Sequence, residues 1–350
     1  MKRMIAILTA LCMLFCGCGA EAPGAEEEAA SVQIFAMDTF MELQAYGPGA
    51  GEALDQLGGR IKALDSLLSV TDPGSEIYAI NHSGSAPVRV SEDTARLLGQ
   101  ALALSKQVGP ALDLTLYPVS EAWGFTSGDY RVPDDSELAG LLGLVDDSRV
   151  ELDGETVHVP DGMELDLGAV AKGYAGEIGL KLLEEHGVQS AILNLGGSSI
   201  RTLGNKPDGS PWRIAVQDPM DPSAYAGVLE MGQGAVDTSG GYERYFRQEG
   251  EIYWHILDPR TGMPAKSGLI SVTVLSEDAF SGDGLSTALF VMGLQDAVRF
   301  WRETGGFEFV MIGDGGELYV SEGAAECFTP MGAYENAPLT VISREERGGT

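Results

Sequence analysis

The run Ser190-Ala191-Ile192-Leu193-Asn194-Leu195-Gly196-Gly197 indicates the class of fold that this chain adopts. Four of its first six residues are apolar, which is typical of a buried strand, and the two glycines end it. A helical pattern precedes it, running from the short strand Glu164–Leu167 through His186, and Gly187 stops that helix. No Gly-x-Gly-x-x-Gly motif follows a strand, which argues against dinucleotide binding by a Rossmann fold.

Outward from this run, most elements are strands joined by loops of hairpin length. The pattern therefore predicts an α+β fold with mixed or antiparallel sheets and packed helices, rather than a doubly wound parallel sheet. The predicted strands are Val32–Tyr46, Trp212–Val216, Val228–Met231, Ile252–Leu257, Ile270–Leu275, Phe307–Ile312 and Glu317–Val320, and further helices are predicted over Glu52–Val70, Ser91–Val108, Asp283–Met292 and Leu294–Thr304.

The N-terminus predicts export from the cytoplasm. Two basic residues precede the apolar run Met4–Phe15, which is too short to span a bilayer, and Cys18 follows it. We predict a lipoprotein signal peptide over residues 1–17 and a lipid (palmitate) anchor on Cys18, on the extracytoplasmic face of the membrane. Ordinary secretion with an incidental Cys18 is the alternative. Residues 18–31 are predicted to be a flexible tether, 32–335 the catalytic domain and 336–350 a frayed tail.

Charge and cysteine content exclude several classes of function. The chain has 52 acidic and 22 basic residues, a net charge of −30, which becomes −32 once Lys2 and Arg3 leave with the signal peptide. Such a surface repels nucleic acid and anionic lipid, and a phosphate-bearing substrate would need local compensation by a cation. Three of the four cysteines lie in the signal region, so Cys327 has no partner for a disulfide or a structural zinc site.

Asp283 and Thr287 are the strongest candidates for metal ligands. On a helix they lie at positions i and i+4, so both project from one face. Carboxylate and hydroxyl oxygens are hard ligands that suit Mg²⁺. The alternative is that Asp283 only caps its helix, as Asp often does.

A second candidate site lies at Leu165-Asp166-Leu167-Gly168-Ala169-Val170-Ala171-Lys172, where a strand leads through a turn into a helix. Free N–H groups at the start of a helix favour phosphate, and Lys172 adds a cation nearby. The alternative is an ordinary packed strand-to-helix turn with a solvated lysine.

Four other segments place polar groups beside rings or in loops. Ala111–Pro118 and Trp123-Gly124-Phe125 put an acid and a hydroxyl beside aromatic residues, which could hold a flat ring or could simply be core. Asp237–Phe246 and His255–Gly262 gather hydroxyls, carboxylates and a histidine among turn-forming residues. His255 is a candidate for acid–base work or for a structural role. Together these patterns favour an enzyme.

Taken together, these blocks resemble the FAD:protein FMN transferases, the ApbE-type flavin transferases. The resemblance extends from Met37-Asp38-Thr39 to about Gly293 and includes Asn194-Leu195-Gly196-Gly197, Thr238-Ser239-Gly240 and Asp283–Thr287. It implies an ApbE-like, T-fold-like architecture. It also implies an FAD site on Met37, Thr71, Ala111, Leu112, Asp113, Asp166, Lys172 and Leu257, and an Mg²⁺ site on the main-chain carbonyl of Ala169 with Asp283 and Thr287.

The implied reaction is the transfer of FMN from FAD to a Thr or Ser hydroxyl of a target flavoprotein, which forms a phosphoester and releases AMP. We predict that His255 assists removal of the proton from that hydroxyl. The implied acceptors are extracytoplasmic or membrane flavoproteins of electron transport. Two alternatives remain: a metal-dependent FAD pyrophosphatase that yields FMN and AMP, and a flavin-binding lipoprotein without catalysis.

Overall fold

The computed structural model describes residues 29–345 of the chain. Its helices are α1 Ala50–Leu68, α2 Glu76–Asn81, α3 Glu92–Val108, α4 Tyr117–Ala122, α5 Asp135–Leu142, α6 Gly168–Glu185, α7 Ser281–Met292, α8 Leu294–Thr304 and α9 Glu322–Ala325. Within these residues, no helix has the length and apolar character needed to cross a membrane. The signal peptide, Cys18 and most of the tether lie outside the described residues.

Seventeen strands form the sheets of the described chain. They are β1 Ala29–Ala36, β2 Thr39–Tyr46, β3 Val88–Arg89, β4 Glu151–Asp153, β5 Thr156–His158, β6 Ser190–Asn194, β7 Ser199–Leu203, β8 Trp212–Gln217, β9 Tyr225–Met231, β10 Gly234–Gly240, β11 Tyr245–Gln248, β12 Glu251–Trp254, β13 Leu269–Ser276, β14 Phe307–Gly313, β15 Leu318–Ser321, β16 Phe328–Pro330 and β17 Leu339–Ile342.

The central sheet has nine strands in the order β1-β2-β6-β7-β10-β13-β14-β15-β17. Neighbours are antiparallel except for the parallel pair β15–β17. The predicted α+β class with a mixed sheet is therefore confirmed. Smaller sheets pair β11 with β12, β16 and β8 with β9, and β3 and β4 with β5.

Three sequence predictions about the ends of the domain are wrong. The single strand predicted over Val32–Tyr46 is a hairpin, because Met37 and Asp38 adopt φ angles of 51° and 58°, and positive φ at both central positions is what a type I′ hairpin turn requires. The predicted tether ends before Ser31, since β1 begins at Ala29. The tail predicted from residue 336 includes β17, which pairs with β15 and covers an otherwise open sheet edge.

The central sheet is covered on both faces. Helices α1, α3, α6 and α7 pack on one face and form the main core, in which Leu57, Ile61 and Tyr174 are fully buried. The sheet β16-β9-β8 and helix α9 pack on the other face. Because side chains alternate along a strand, Val236 of β10 faces the second core, whereas its neighbour Asp237 faces α6 and α7.

Candidate active site

The Asp113 and Asp166 blocks, distant in sequence, lie side by side. The Asp166 N–H donates to the carbonyl of Leu114 at 2.8 Å, and Asn81 forms two hydrogen bonds with the backbone of Leu165. Asp113 accepts hydrogen bonds from the hydroxyl of Thr115 at 2.5 Å and the N–H of Asp147 at 3.2 Å. These bonds bring two of the predicted FAD-binding acids to the start of α6.

An acid just before helix α6 accepts a hydrogen bond from the first N–H group of that helix. Oδ1 of Asp166 accepts from the Gly168 N–H at 2.7 Å. Burial raises the pKa of Asp166, and the opposing effects of the Gly168 hydrogen bond and the Arg244 charge are smaller. A carboxyl at this position satisfies one of the free donors at the helix start.

Asp283 joins α7 to α6. Its side chain is buried, and its two oxygens accept from Lys172 Nζ at 3.2 Å and from the Gly173 N–H at 3.0 Å. The side chain makes no capping bond to the start of its own helix. The alternative in which Asp283 only caps α7 is therefore wrong, because the carboxylate bonds to the neighbouring helix.

The close approach of the two helices depends on Gly173. A Cβ atom at this position would lie 2.3 Å from the carbonyl oxygen of Phe280 and 3.1 Å from Cβ of Asp283. Any side chain here would push the helices apart. Glycine thus allows the carboxylate of Asp283 to reach the backbone of α6.

A hydroxyl network continues from Asp283 along α7. The hydroxyl of Ser286 donates to the carbonyl of Asp283 at 2.8 Å. Ser239 Oγ on β10 lies 2.8 Å from Ser286 Oγ and 3.0 Å from Thr287 Oγ1. Strand β10 therefore fixes the position of the Thr287 hydroxyl, one turn after Asp283.

The donor set at this junction fits a hard divalent cation. In a regular α-helix the Gly173 N–H would bond to the carbonyl of Ala169, four residues earlier, and here Asp283 competes for that donor. The ammonium of Lys172 already lies against the carboxylate, as a cation would. No group of three or more His, Cys, Asp or Glu residues in the range 29–345 is arranged for a metal. The Asp283 carboxylate, the Thr287 hydroxyl and the Ala169 carbonyl are hard oxygen donors of the kind that could hold Mg²⁺.

His255 lies next to Arg244 at the base of the β11–β12 hairpin. The His255 N–H donates to the Arg244 carbonyl at 3.0 Å, and the ring Nδ1 lies 3.2 Å from the same oxygen. A carbonyl oxygen accepts only, so Nδ1 carries the proton and Nε2 keeps a free lone pair. Burial, with the charges of Arg244 and Lys172, lowers the pKa of His255 to about 4. The ring is therefore neutral at pH 7.

Arg244 and Ser239 are site residues to which the sequence reasoning gave no role. Arg244 is close enough to Asp166, Glu243 and His255 to influence the pKa of each. Burial raises the pKa of Glu243, and the charges of Lys172 and Arg244 partly offset that effect. Both residues lie within the segment Asp237–Phe246. For Ser239, the sequence signal that could have indicated a role is a hydroxyl near the end of a buried strand.

The remaining predicted flavin residues are more dispersed. Leu112 is buried against α7, since a Cβ on Gly284 would lie 3.4 Å from its Cδ2, and Ala111 is buried in the same core. The Met37 N–H donates to Asp65 at 2.9 Å, and Thr71 lies exposed in the loop after α1. The structure thus places the Asp113 and Asp166 blocks side by side and joins Lys172 to Asp283, while the roles of all the predicted flavin and metal residues stay predictions.

The aromatic residues near Asp113 form a small core. Trp123 is fully buried and donates from Nε1 to the Gly262 carbonyl at 2.7 Å, and Leu257 packs in the same cluster with Phe125. The alternative in which Trp123 and Phe125 are core residues is therefore confirmed. This cluster packs against the loop His255–Gly262 through Leu257 and the Trp123–Gly262 hydrogen bond.

A recess of about 460 Å³ lies away from these residues, on the C-terminal half of α6. It is lined by Arg60, Arg96 and Lys181 among others. Arg60 pairs with Asp93 at 2.9 Å, and Arg96 pairs with Glu177. The lining of the recess includes none of the predicted site residues, so the group around Asp283 stays the candidate for catalysis.

Comparison with known proteins shows which family this chain resembles. A family model described as the ApbE family matches residues 37–311. The chain is 35% identical over 276 residues to an FAD:protein FMN transferase of Klebsiella pneumoniae, covering 77% of this chain and 85% of the relative. It is 32% identical over 327 residues to an FAD:protein FMN transferase of Treponema pallidum, covering 86% of this chain and 89% of the relative.

Two solved structures have the same fold. The ApbE protein of Thermotoga maritima superposes with a TM-score of 0.80 at 31% identity, covering 86% of this chain and 99% of the other. The flavin transferase ApbE of Vibrio cholerae superposes with a TM-score of 0.77 at 29% identity, with the same coverage. The predicted ApbE-like architecture is thereby confirmed.

Proposed function

The chain belongs to the ApbE family, and from that membership we propose that it transfers FMN from FAD to a Thr or Ser hydroxyl of an acceptor protein, with Mg²⁺ as cofactor. The observation that carries the proposal is the position of Asp283. Its carboxylate is buried at the junction of α6 and α7, bonded to Lys172 and Gly173, with Thr287 one turn further along the same helix. A flavin carrier without catalysis would not need such a set of oxygen ligands beside a cation.

The proposed Mg²⁺ ligands are the Asp283 carboxylate, the Thr287 hydroxyl and the Ala169 carbonyl. When bound there, Mg²⁺ would neutralise charge on the pyrophosphate of FAD and on the departing AMP. This also answers the difficulty that a chain with a net charge of −30 must bind an anionic substrate.

The cationic side chains of the site would orient the pyrophosphate. Lys172 lies on the second turn of α6, where its ammonium is partly exposed and can bridge Asp283 and a phosphate oxygen. Arg244 is exposed and close to His255 and Asp166, so it can contact the second phosphate. Both residues would hold the substrate in line for attack.

His255 would act as the general base. Its Nε2 lone pair is free, and an anionic substrate beside the ring would raise its basicity. In the proposed step the acceptor oxygen forms a bond to the FMN phosphorus, the bond from that phosphorus to the bridging oxygen of AMP breaks, and the hydroxyl proton passes to Nε2. FAD and the acceptor hydroxyl are thus converted into the FMN ester of the acceptor, AMP and one proton.

We also propose that the mature protein is anchored through a lipid on Cys18 at the extracytoplasmic face of the membrane. The basic residues, the short apolar run and Cys18 support this proposal. The acceptors would then be extracytoplasmic or membrane flavoproteins of electron transport. Labelling of the expressed chain with a radioactive fatty acid, compared with the Cys18→Ser variant, tests the anchor.

The test of the reaction is the intact mass of an acceptor. The purified protein is incubated with FAD, Mg²⁺ and a soluble flavoprotein domain that offers a Thr, and the mass of that domain is measured. We expect a gain equal to FMN less water, which disappears with Asp283→Asn but persists with Asp296→Asn, an acid in the first turn of α8. AMP release with FMN in solution and no labelled acceptor would indicate the pyrophosphatase, and tight FAD binding without AMP would indicate a carrier.

A further inference from the structure

An ion pair without access to solvent lies beneath the candidate site. Arg201 on β7 and Asp237 on β10 are both fully buried, with Nη1 of Arg201 3.0 Å from Oδ1 of Asp237. Ser199 on β7 also donates to Oδ1, at 2.5 Å. The pair occupies the face of the central sheet on which α6 and α7 pack.

Stability alone does not account for this pair. Removing two charges from water is costly, and a buried pair recovers the cost only when its remaining donors and acceptors are satisfied. Here Nη2 of Arg201 and Oδ2 of Asp237 have no hydrogen-bond partner in the described chain. Apolar residues of similar volume would often give an equally stable or a more stable protein.

The pair contacts both helices that supply the proposed metal ligands. Nε of Arg201 donates to the Ala279 carbonyl at 2.8 Å, just before α7. A Cβ on Gly282 of α7 would lie 2.3 Å from Oδ2 of Asp237. A Cβ on Gly176 of α6 would lie 2.6 Å from Nε of Arg201. The two glycines let the helices pack closely against the pair.

The helix positions that contact the pair lie close to Asp283 and to the two residues of α6 that bond to it. Asp283 follows Gly282 directly, and Lys172 and Gly173 lie one turn before Gly176 on α6. A movement of the start of α7 relative to α6 would separate Asp283 from both of its partners. The distance between Asp283 and α6 thus depends on the side chains of Arg201 and Asp237, against which both helices pack.

We propose that the Arg201–Asp237 pair is a positioning device that sets the spacing of α6 and α7, so that Asp283 and Thr287 meet the Ala169 carbonyl around one cation. The inference rests on the proposed metal site. Neither Arg201 nor Asp237 touches the substrate, and both act through Asp283.

The test measures metal binding apart from catalysis. Mn²⁺ alone is titrated into the purified protein, and the free ion is followed by its electron paramagnetic resonance signal. The key variant is Arg201→Met with Asp237→Leu, which replaces the pair by apolar side chains. We expect the thermal midpoint of this variant to be close to that of the wild type. We expect its Kd for Mn²⁺ to be at least tenfold higher than the wild-type Kd.

Two controls separate the possible failures. Arg213→Met with Glu230→Met removes the exposed pair between β8 and β9, 3.2 Å apart, and should leave the Kd unchanged. Asp283→Ala should abolish binding at the site. If Asp283→Ala binds Mn²⁺ like the wild type, the proposed metal site is wrong. If only Asp283→Ala loses binding, the metal site stands and the positioning role is overturned.

A second variant decides the case in which the apolar pair does not fold. Arg201→Lys keeps the charge opposite Asp237, but a single ammonium cannot reproduce the separate bonds from Nε to Ala279 and from Nη1 to Asp237. We expect this variant to fold and to bind Mn²⁺ several-fold more weakly. An unchanged Kd in folded Arg201→Lys would overturn the proposal.

Discussion

Lys172 Nζ lies 3.2 Å from Oδ1 of Asp283, so the second turn of α6 and the first turn of α7 meet through opposite charges. The two residues are 111 positions apart in the chain. Their contact brings together the two segments on which we propose that phosphate and metal bind.

Replacing Asp283 with Asn should remove catalysis while the fold remains. The amide keeps the shape of the carboxylate but loses its charge, so we expect the rate of FMN transfer to fall by about a hundredfold or more. The measurement is AMP release with Mg²⁺ at saturating FAD. Asp296→Asn in α8 is the matched control and should retain the wild-type rate. A rate for Asp283→Asn within threefold of wild type would exclude a role for this carboxylate.

Replacing Lys172 with Met should weaken FAD binding more than it slows turnover. The loss of a charge-assisted hydrogen bond to phosphate costs about 1.5–3 kcal/mol, so we expect KM for FAD to rise roughly tenfold to a hundredfold. Steady-state kinetics over a range of FAD concentrations measures this effect. Lys181→Met alters a lysine in the C-terminal half of the same helix and should leave KM unchanged. An equal rise in both variants would attribute the effect to net charge alone.

His255→Gln should lower kcat by about a hundredfold or more, because a glutamine can accept a hydrogen bond but cannot take up the proton. Wild-type kcat/KM should fall as the pH drops through about 4, where the ring of the free enzyme becomes protonated. The decrease should be absent from the residual activity of His255→Gln. Activity of His255→Gln close to wild type across this range would show that the base lies elsewhere.

The same histidine should make stability depend on pH. Its pKa is lowered from 6.5 to about 4 on folding, so the unfolded chain binds a proton that the folded chain does not bind between these values. The free energy of unfolding should therefore be highest above pH 6.5 and fall as the pH drops toward 4, by about 3 kcal/mol from this residue. Urea denaturation at several pH values measures the slope. Subtracting the His255→Gln profile isolates the contribution, and identical slopes would contradict the prediction.

Gly173→Ala should destabilise the protein and impair metal binding together. The added Cβ would lie 2.3 Å from the Phe280 carbonyl, so α6 and α7 must separate, at a cost of about 1–3 kcal/mol. Thermal unfolding and Mn²⁺ titration measure the two effects. Gly140→Ala on α5 is the control, because nothing lies within 4 Å of its Cβ position and alanine favours a helix. A rise in thermal midpoint for both variants would show that the helices tolerate the methyl group.

Local patterns in the sequence predicted much of the fold. The helix over Glu92–Val108 is confirmed with its N-capping Ser91, because capping and apolar spacing act within a few residues. The hairpin turn at Met37 and Asp38 was missed because neither residue is a glycine, although both adopt positive φ. Strand β17 was missed because its four residues gain their stability from pairing with β15, which local sequence does not report.

The sequence by itself determined the α+β class and identified Asp166, Lys172, Asp283 and Thr287 as candidate site residues. It also predicted the export signal. Residue type and short-range spacing carry that information. Only the tertiary structure decided that Asp283 bonds to α6 and does not cap α7, that Ser239 fixes Thr287, and that Arg201 and Asp237 are buried between β7, β10 and the two helices. Those contacts join residues many positions apart, and they form only when packing excludes water and brings distant segments within hydrogen-bonding distance.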